Sequence, residues 1–497
     1  MTNPSSTPPR GSVVRNAMHL GLGQIATTIL TILLSATLAR TLGAADFGLL
    51  YLLMSIATFA YVFVEWGHNP LIIRETVRNP EKAGNLLGSA LALRAASALA
   101  ACAVAVASTW LLGYDVRTRV LTAVLILAWL PQYLGLSFGS VFRAHSRMDR
   151  DALMNVILKF TTLIGSVTCL ALGGRLRGLM LAWGLAGCLT LAVGITLYRK
   201  LRLPRLSVSL HTARALWHNG ASLLAIFLAV AIEPYLNANI LYKRAPAAVI
   251  GWYGAAWNIC GTLLAPATIL AATMYPRWSM ASGDRAEFKR SFDISFRPLL
   301  LVAVLGAVGT YLFADVAIGL IYSRQKFGPA ADTLRAFAPV LLLMYVDVFV
   351  GMAILASGRA GRLAAAKVGA VVITTTLVFF LVPICQARYG NGGLGVMFAM
   401  TLGEVLMLVA AATLIRQALD GRMLIDVCRC LAAGAVTILV MRLLPTLNPI
   451  LAIPLCVALF AGLALAAGAL HRADVELLLS AVRKKGAPLP LAETSEP

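Results

Sequence analysis

Blocks of about 20 apolar residues recur from one end of this 497-residue chain to the other, and that recurrence limits the fold more than any motif does. A helix needs roughly 20 such residues to cross the hydrocarbon core of a bilayer. Charged residues are 13% of the chain, against about 25% in a soluble domain, and 59% of the chain is hydrophobic. A soluble enzyme is excluded. No ten-residue segment alternates apolar and polar positions as the strands of an outer-membrane barrel do. The expected fold is an all-α polytopic membrane protein.

The blocks fall at about 17–39, 46–66, 86–112, 120–142, 153–173, 178–198, 217–242, 249–275, 298–322, 336–356, 363–385, 393–415, 424–444 and 448–470, giving fourteen spans. The first is too long for the core of a signal peptide and reads as an uncleaved span. Before it, the Pro-, Ser- and Thr-rich residues 1–16 read as a disordered tail. The chain then divides into a lobe of six spans (17–198), a linker (199–216), a second lobe of six (217–415), two further spans (416–470) and a C-terminal tail (471–497).

An even number of spans puts both termini on one side, and charge says which. Lys and Arg number 42 against 21 acids. Of those 42, 27 fall in segments on the side of the termini and 12 in the opposite loops, with Arg94, Lys159 and Lys367 inside spans. Excess Lys and Arg marks the cytoplasmic face, so both termini are expected in the cytoplasm of a bacterial inner membrane. The net charge of +21 then reflects orientation and contact with anionic lipids, and points to no nucleic acid. Most of the eight cysteines lie in apolar runs and read as small buried hydrophobes. No metal-ligand spacing and no GxxxxGK[ST] phosphate loop occurs, so neither a metal nor an organic cofactor is expected.

The halves also repeat. Arg40-Thr-Leu-Gly-Ala44-Ala45-Asp46-Phe47-Gly48 joins spans one and two, and Arg244-Ala-Pro-Ala247-Ala248-Val249-Ile250-Gly251 joins spans seven and eight. Aligning the alanine pairs also aligns Gly48 with Gly251, at a constant offset of 203. Six spans separate the two points, so the repeats are parallel, an arrangement transporters use.

Several segments resemble the Wzx-type polysaccharide and oligosaccharide-lipid flippases of the MOP superfamily, whose fold is MATE- and MurJ-like. They are ARTLGAADFGLLYLLMSI (39–56), LIIRETVRNPEKAGNLLGSALALR (71–94), AAVIGWYGAAWNICGTLLAPATILAATMYPRWS (247–279), IYSRQKFGPAADTLRAFAP and YGNGGLGVMFAMTLGEV. The resemblance covers about residues 12–420. It implies two six-helix bundles in a V around a central cavity, alternating between inward- and outward-open states. It also implies a polyprenyl-phosphate-linked glycan as substrate, membrane lipids as partners and coupling to H⁺ or Na⁺. By likeness to lipid II flippases, the last two spans would cradle the lipid tail. Whether polysaccharide-assembly proteins bind is open, as are the glycan and the oligomeric state.

A carrier of an anionic headgroup needs cations held at depth, and charges inside spans are costly enough to signal function. Arg94 lies about 12 Å into span three and Lys159 about 9 Å into span five. Each either faces a cavity or snorkels to the headgroups, and Lys367, nearer its span end, is expected to snorkel. Arg297 lies at a cytoplasmic end, as an interface residue or a phosphate receiver. Among the acids, Glu233 precedes Pro234, which predicts a broken helix with a polar group at the break. Glu233, Asp347 and Glu404 are candidates for a coupling ion or a sugar, or for one half of a buried ion pair. Asn237 offers hydrogen bonds to sugar hydroxyls or to a neighbouring helix. Arg40 and Arg74 are expected to hold helix ends or the lipid interface.

Two other readings compete. A MATE-like drug or cation antiporter would line its cavity with acids or apolar groups. A membrane glycosyltransferase or polymerase would need a sizeable outer loop with catalytic groups, and the outer loops here are short.

Overall fold

In the absence of water, a segment inside a bilayer must satisfy its backbone groups internally, and a continuous apolar run does so as a helix. The computed structural model describes residues 10–416, 420–444 and 448–469, and it has helices and no strand among them. The tail at 471–497 lies outside the described residues, as do residues 1–9 of the other tail; helix begins at Arg10. In chain order the helices are α1 (Arg10–Glu65), α2 (His68–Arg78), α3 (Ala83–Leu111), α4 (Val116–Ala144), α5 (Met148–Ala171) and α6 (Leu176–Lys200). There follow α7 (Leu210–Arg244), α8 (Ala247–Leu263), α9 (Ala265–Met280), α10 (Arg285–Leu312), α11 (Ala314–Ile321) and α12 (Arg324–Phe327). The last are α13 (Ala330–Ala356), α14 (Ala360–Tyr389), α15 (Gly393–Leu414), α16 (Gly421–Arg442) and α17 (Pro449–Ala466).

Among the described residues, 12 segments are long and apolar enough to cross a membrane. The first of these, 21–78, holds two spans, because α1 turns at Gly43 (φ 75°, ψ 173°), a conformation closed to residues with a Cβ. The 35-residue α7 is long enough for another, so the expected fourteen is a close approximation. Large apolar side chains such as Leu99, Leu185 and Phe380 are exposed along these helices, as a lipid-facing surface requires.

The chain forms two compact units. Among the described residues, one comprises 10–258, 318–330 and 375–396; the other comprises 259–317, 331–374 and those within 397–469. In the first unit small residues let helices approach closely. A Cβ on Gly135 of α4 would lie 2.9 Å from the Leu191 nitrogen of α6, and one on Gly187 of α6 would lie 2.7 Å from the Gln132 nitrogen of α4.

The repeated junctions meet in this unit. A Cβ on Gly48 would come within 2.1 Å of the Ala247 carbonyl oxygen, and one on Gly251 within 2.1 Å of that of Ala44. The contact is reciprocal under the 203-residue offset, as a local two-fold axis requires. Beside it, the Arg40 Nε–H donates to the Ile321 carbonyl at 3.0 Å, holding the C-terminal end of α11 as expected of this arginine.

Between α6 and α7 the chain is extended and packed down. A Cβ on Gly84 would meet the Arg205 oxygen at 2.2 Å, and the Ser209 amide donates to the Ser89 hydroxyl at 3.1 Å. The stretch expected as a linker is thus laid along the start of α3.

Candidate functional site

Among the described residues, the candidate side chains lie in four groups, two in each unit. The first surrounds Arg94, which has no exposed surface. Its guanidinium donates to the Asn69 side-chain oxygen at 2.9 Å, to the Tyr133 carbonyl at 3.2 Å and to the Ser137 hydroxyl. Asn69 in turn donates to Glu65 at 3.1 Å and accepts from the Ser140 hydroxyl at 2.9 Å. A guanidinium buried this way ties α2, α3 and α4 together through charge-assisted hydrogen bonds. It neither snorkels nor is exposed.

The second group lies along α7. The helix runs unbroken through Pro234, which corrects the expected break at Glu233. Proline removes one backbone donor, and neighbouring helices compensate for that in a membrane bundle. One turn on, Asn237 is fully buried, and neither atom of its amide is in hydrogen-bond geometry. The buried Tyr253 hydroxyl faces it, with Tyr51 and Glu233 next to it; the rings of Tyr51 and Tyr253 pack edge to face at 5.7 Å. Buried polar groups seek one another out, and Asn237, Tyr253, Tyr51 and Glu233 make one polar cluster. Lys159, on α5 of the same unit, is half-buried and has no hydrogen bond or ion pair among the described residues.

The third group brings together two residues that the sequence offered separately. Lys367 of α14 donates to Asp347 of α13 at 2.7 Å. Asp347 is buried, its second oxygen has no partner, and the lysine side chain is one-third exposed (33%). Counted from the C-terminal end of α13 and the N-terminal end of α14, the two residues lie about 10–14 Å along their helices. Lys367 therefore bonds to a carboxylate at its own depth and does not snorkel, because the nearby anion offers more than distant headgroups. Glu404 is half-buried on α15, next to Gly403, which packs against Thr374 of α14.

The fourth group joins α10 to α16. Arg297 donates to Asp426 at 2.9 Å, so it is paired where an interface cation or a phosphate receiver was expected. Asp426 was not singled out from the sequence, although an acid inside an apolar run was a sufficient signal. Tyr253 and Asn69 carried no signal of their own, since Tyr and Asn are common in spans. Below Arg297, Lys289 donates to Asp420, which also caps the Met423 amide at 2.9 Å. The Lys289 hydrogen bond holds the Asp420 carboxyl below its usual range, and the same bond holds the Lys289 ammonium above its own.

A carboxyl depressed by folding contributes stability above its unfolded value of about 3.9, lost as pH falls through the folded value. A raised ammonium contributes below about 10.4, lost as pH rises through the folded value. The docking of α16 on α10 is thus expected to be flat from about pH 5 to pH 9 and to weaken on either side. Partial exposure keeps the effect below about 1 kcal/mol. Thermal unfolding across pH, compared with a Lys289→Met/Asp420→Asn double variant, checks this. Parallel profiles at both extremes would remove the pair from the stability of this face.

Residues 13–282, more than half of the chain, match the family described as "Polysaccharide biosynthesis protein". No curated protein matches in sequence. In structure, the chain is similar to a lipid II flippase MurJ in its inward closed conformation, with TM-score 0.73 and 13% identity over 92% of this chain and 99% of that one. It is also similar to a multidrug resistance MATE family transporter of the MOP superfamily. The inward-facing conformation gives TM-score 0.65 and 15% identity over 79% of this chain and 94% of that one. The outward-facing conformation gives 0.56 and 14% over 83% and 99%. At these identities the likeness concerns the fold, which is that of MurJ and the MATE transporters.

Proposed function

Because this chain belongs to the polysaccharide biosynthesis protein family, we propose that it is a flippase, carrying a polyprenyl-linked oligosaccharide across the bacterial inner membrane by alternating access. Both termini lie in the cytoplasm, as the distribution of Lys and Arg favours. The reaction is binding and release; no bond is made or broken. The observation that carries the reading is the Lys367–Asp347 pair, a cation held inside a span by a single carboxylate and still one-third exposed. An incoming phosphate competes with Asp347 for that ammonium, and the freed carboxylate is then a site for a proton or Na⁺. Glu233, Asn237 and Tyr253 form a second polar site, for a coupling ion or a sugar hydroxyl.

The test is the sidedness of lipid-linked glycan in cells depleted of the protein, read with a glycosidase confined to the periplasm. Build-up on the cytoplasmic face is expected, relieved by wild type and not by Lys367→Met present at normal membrane levels. Unaltered export overturns the reading. It would favour a MATE-like antiporter, a second reading supported by the half-buried acid Glu233 inside α7. Unpolymerised glycan collecting on the outer face would indicate an enzyme acting after transport.

A further inference from the structure

The first unit contains a groove of about 360 Å³ between the second half of α1, α3 and α7, a size within the usual range for a small-molecule site. Its floor on α3 is Ser97, Ala100, Ala101, Val104, Ala105 and Ser108, recurring every three or four residues and so forming one helical face. That face runs for about 16 Å. The α1 side is Ile56, Phe59, Ala60 and Phe63, at the same spacing. Stacked rings bound it: Phe59 on Tyr235 at 4.5 Å, and Trp66 on Trp217 at 3.7 Å.

The Trp66 end is built with unusual care. Trp66 has φ 45°, in the left-handed region that bulky residues seldom enter. Its indole N–H donates to the Trp217 carbonyl at 2.7 Å, and its own carbonyl sits where a Cβ on Gly220 would be only 2.2 Å away. The ring is thereby fixed as an end wall. A cationic side chain occurs beyond this wall: Arg214, one turn before Trp217 on α7, is exposed. The lining of the groove itself is aromatic and aliphatic apart from the hydroxyls of Ser97, Ser108 and Tyr235 and the indole N–H groups.

We propose that this groove seats the prenyl chain of a polyprenyl phosphate, with the phosphate at Arg214, in a loading step that precedes its engagement by Lys367. The inference rests on the flippase reading and assigns its lipid tail to the first unit. The match is one of shape and charge together: a single apolar chain with an anion at one end, against a single apolar trough with a cation at one end. An ordinary bilayer lipid brings two chains and has no need of an end wall. A hydrophobic cation would be repelled by Arg214.

The experiment uses the full chain in phosphatidylcholine nanodiscs with a farnesyl phosphate bearing a diazirine on its tail. Labelling is expected within residues 97–108, competed by unlabelled polyprenyl phosphate but not by polyprenol or phosphatidic acid. Val104→Trp, which fills the trough from an exposed position, and Arg214→Gln are each expected to lower labelling about tenfold, as loss of a charged hydrogen bond or of the seat would. Equal labelling by a diazirine phosphatidic acid, labelling confined to other helices, or competition by ethidium would overturn the proposal. If labelling behaves as expected and depleted cells show no sided build-up, the transport reading fails and the groove stands. The converse result removes the groove and leaves transport.

Discussion

Gly251→Ala is expected to destabilise the protein by about 3 kcal/mol, the high end for overpacking, and to cut the yield of monodisperse protein sharply. In an ordinary helix interior the same change gains roughly 1 kcal/mol. The sign reverses here because the new methyl would sit 2.1 Å from the Ala44 carbonyl oxygen, and a backbone carbonyl inside a helix cannot turn aside. Gly48→Ala is expected to behave alike, since it meets the Ala247 oxygen at the same distance. Gly261→Ala and Gly309→Ala are the controls, with nothing within 4 Å of the added atom, and both should match or exceed wild type. Fluorescence-detected size exclusion and thermal unfolding in detergent read all four. Wild-type behaviour of Gly251→Ala would mean that the two junctions do not touch as described.

Asp347→Ala comes next in size. It leaves the Lys367 ammonium inside a span without its carboxylate, and breaking a buried pair on one side costs about 3–5 kcal/mol. Partial exposure of the lysine places the expectation at the lower end, about 3 kcal/mol. The Asp347→Leu/Lys367→Met double variant should regain most of that, because removing both charges also removes the cost of keeping them from water. Stability and transport are expected to separate in the double variant: near-normal unfolding temperature, no relief of glycan build-up. If the double variant were as unstable as Asp347→Ala, the two side chains would not be coupled. If it transported normally, the pair would be a structural bond only.

Fold class, the approximate number of spans and the repeat were legible in the sequence for one reason: they depend on patterns along the chain. Apolar runs of membrane length become helices wherever they land, and the Ala44-Ala45 and Ala247-Ala248 alignment needs no folding to be seen. The expected break at Glu233 failed because proline's effect depends on its neighbours, and α7 continues through Pro234. The partner of each charge was also beyond reach. Lys367 and Asp347 are 20 positions apart, Arg297 and Asp426 are 129 apart, and no periodicity in one dimension says which helices lie side by side. Nor did Arg94 announce that Asn69, Tyr133 and Ser137 would use its donors.

The sequence by itself determined that this chain crosses a membrane many times as helices and repeats one junction at an offset of 203, because hydropathy and length act locally through the solvent. Only the tertiary structure decided that the repeated glycines interlock, that two of the candidate cations are already paired, and that α1, α3 and α7 enclose an apolar trough. Those are matters of which surfaces meet, and inside a bilayer that choice is made by close packing and polar pairing between helices, neither of which is written in the order of residues along any one of them.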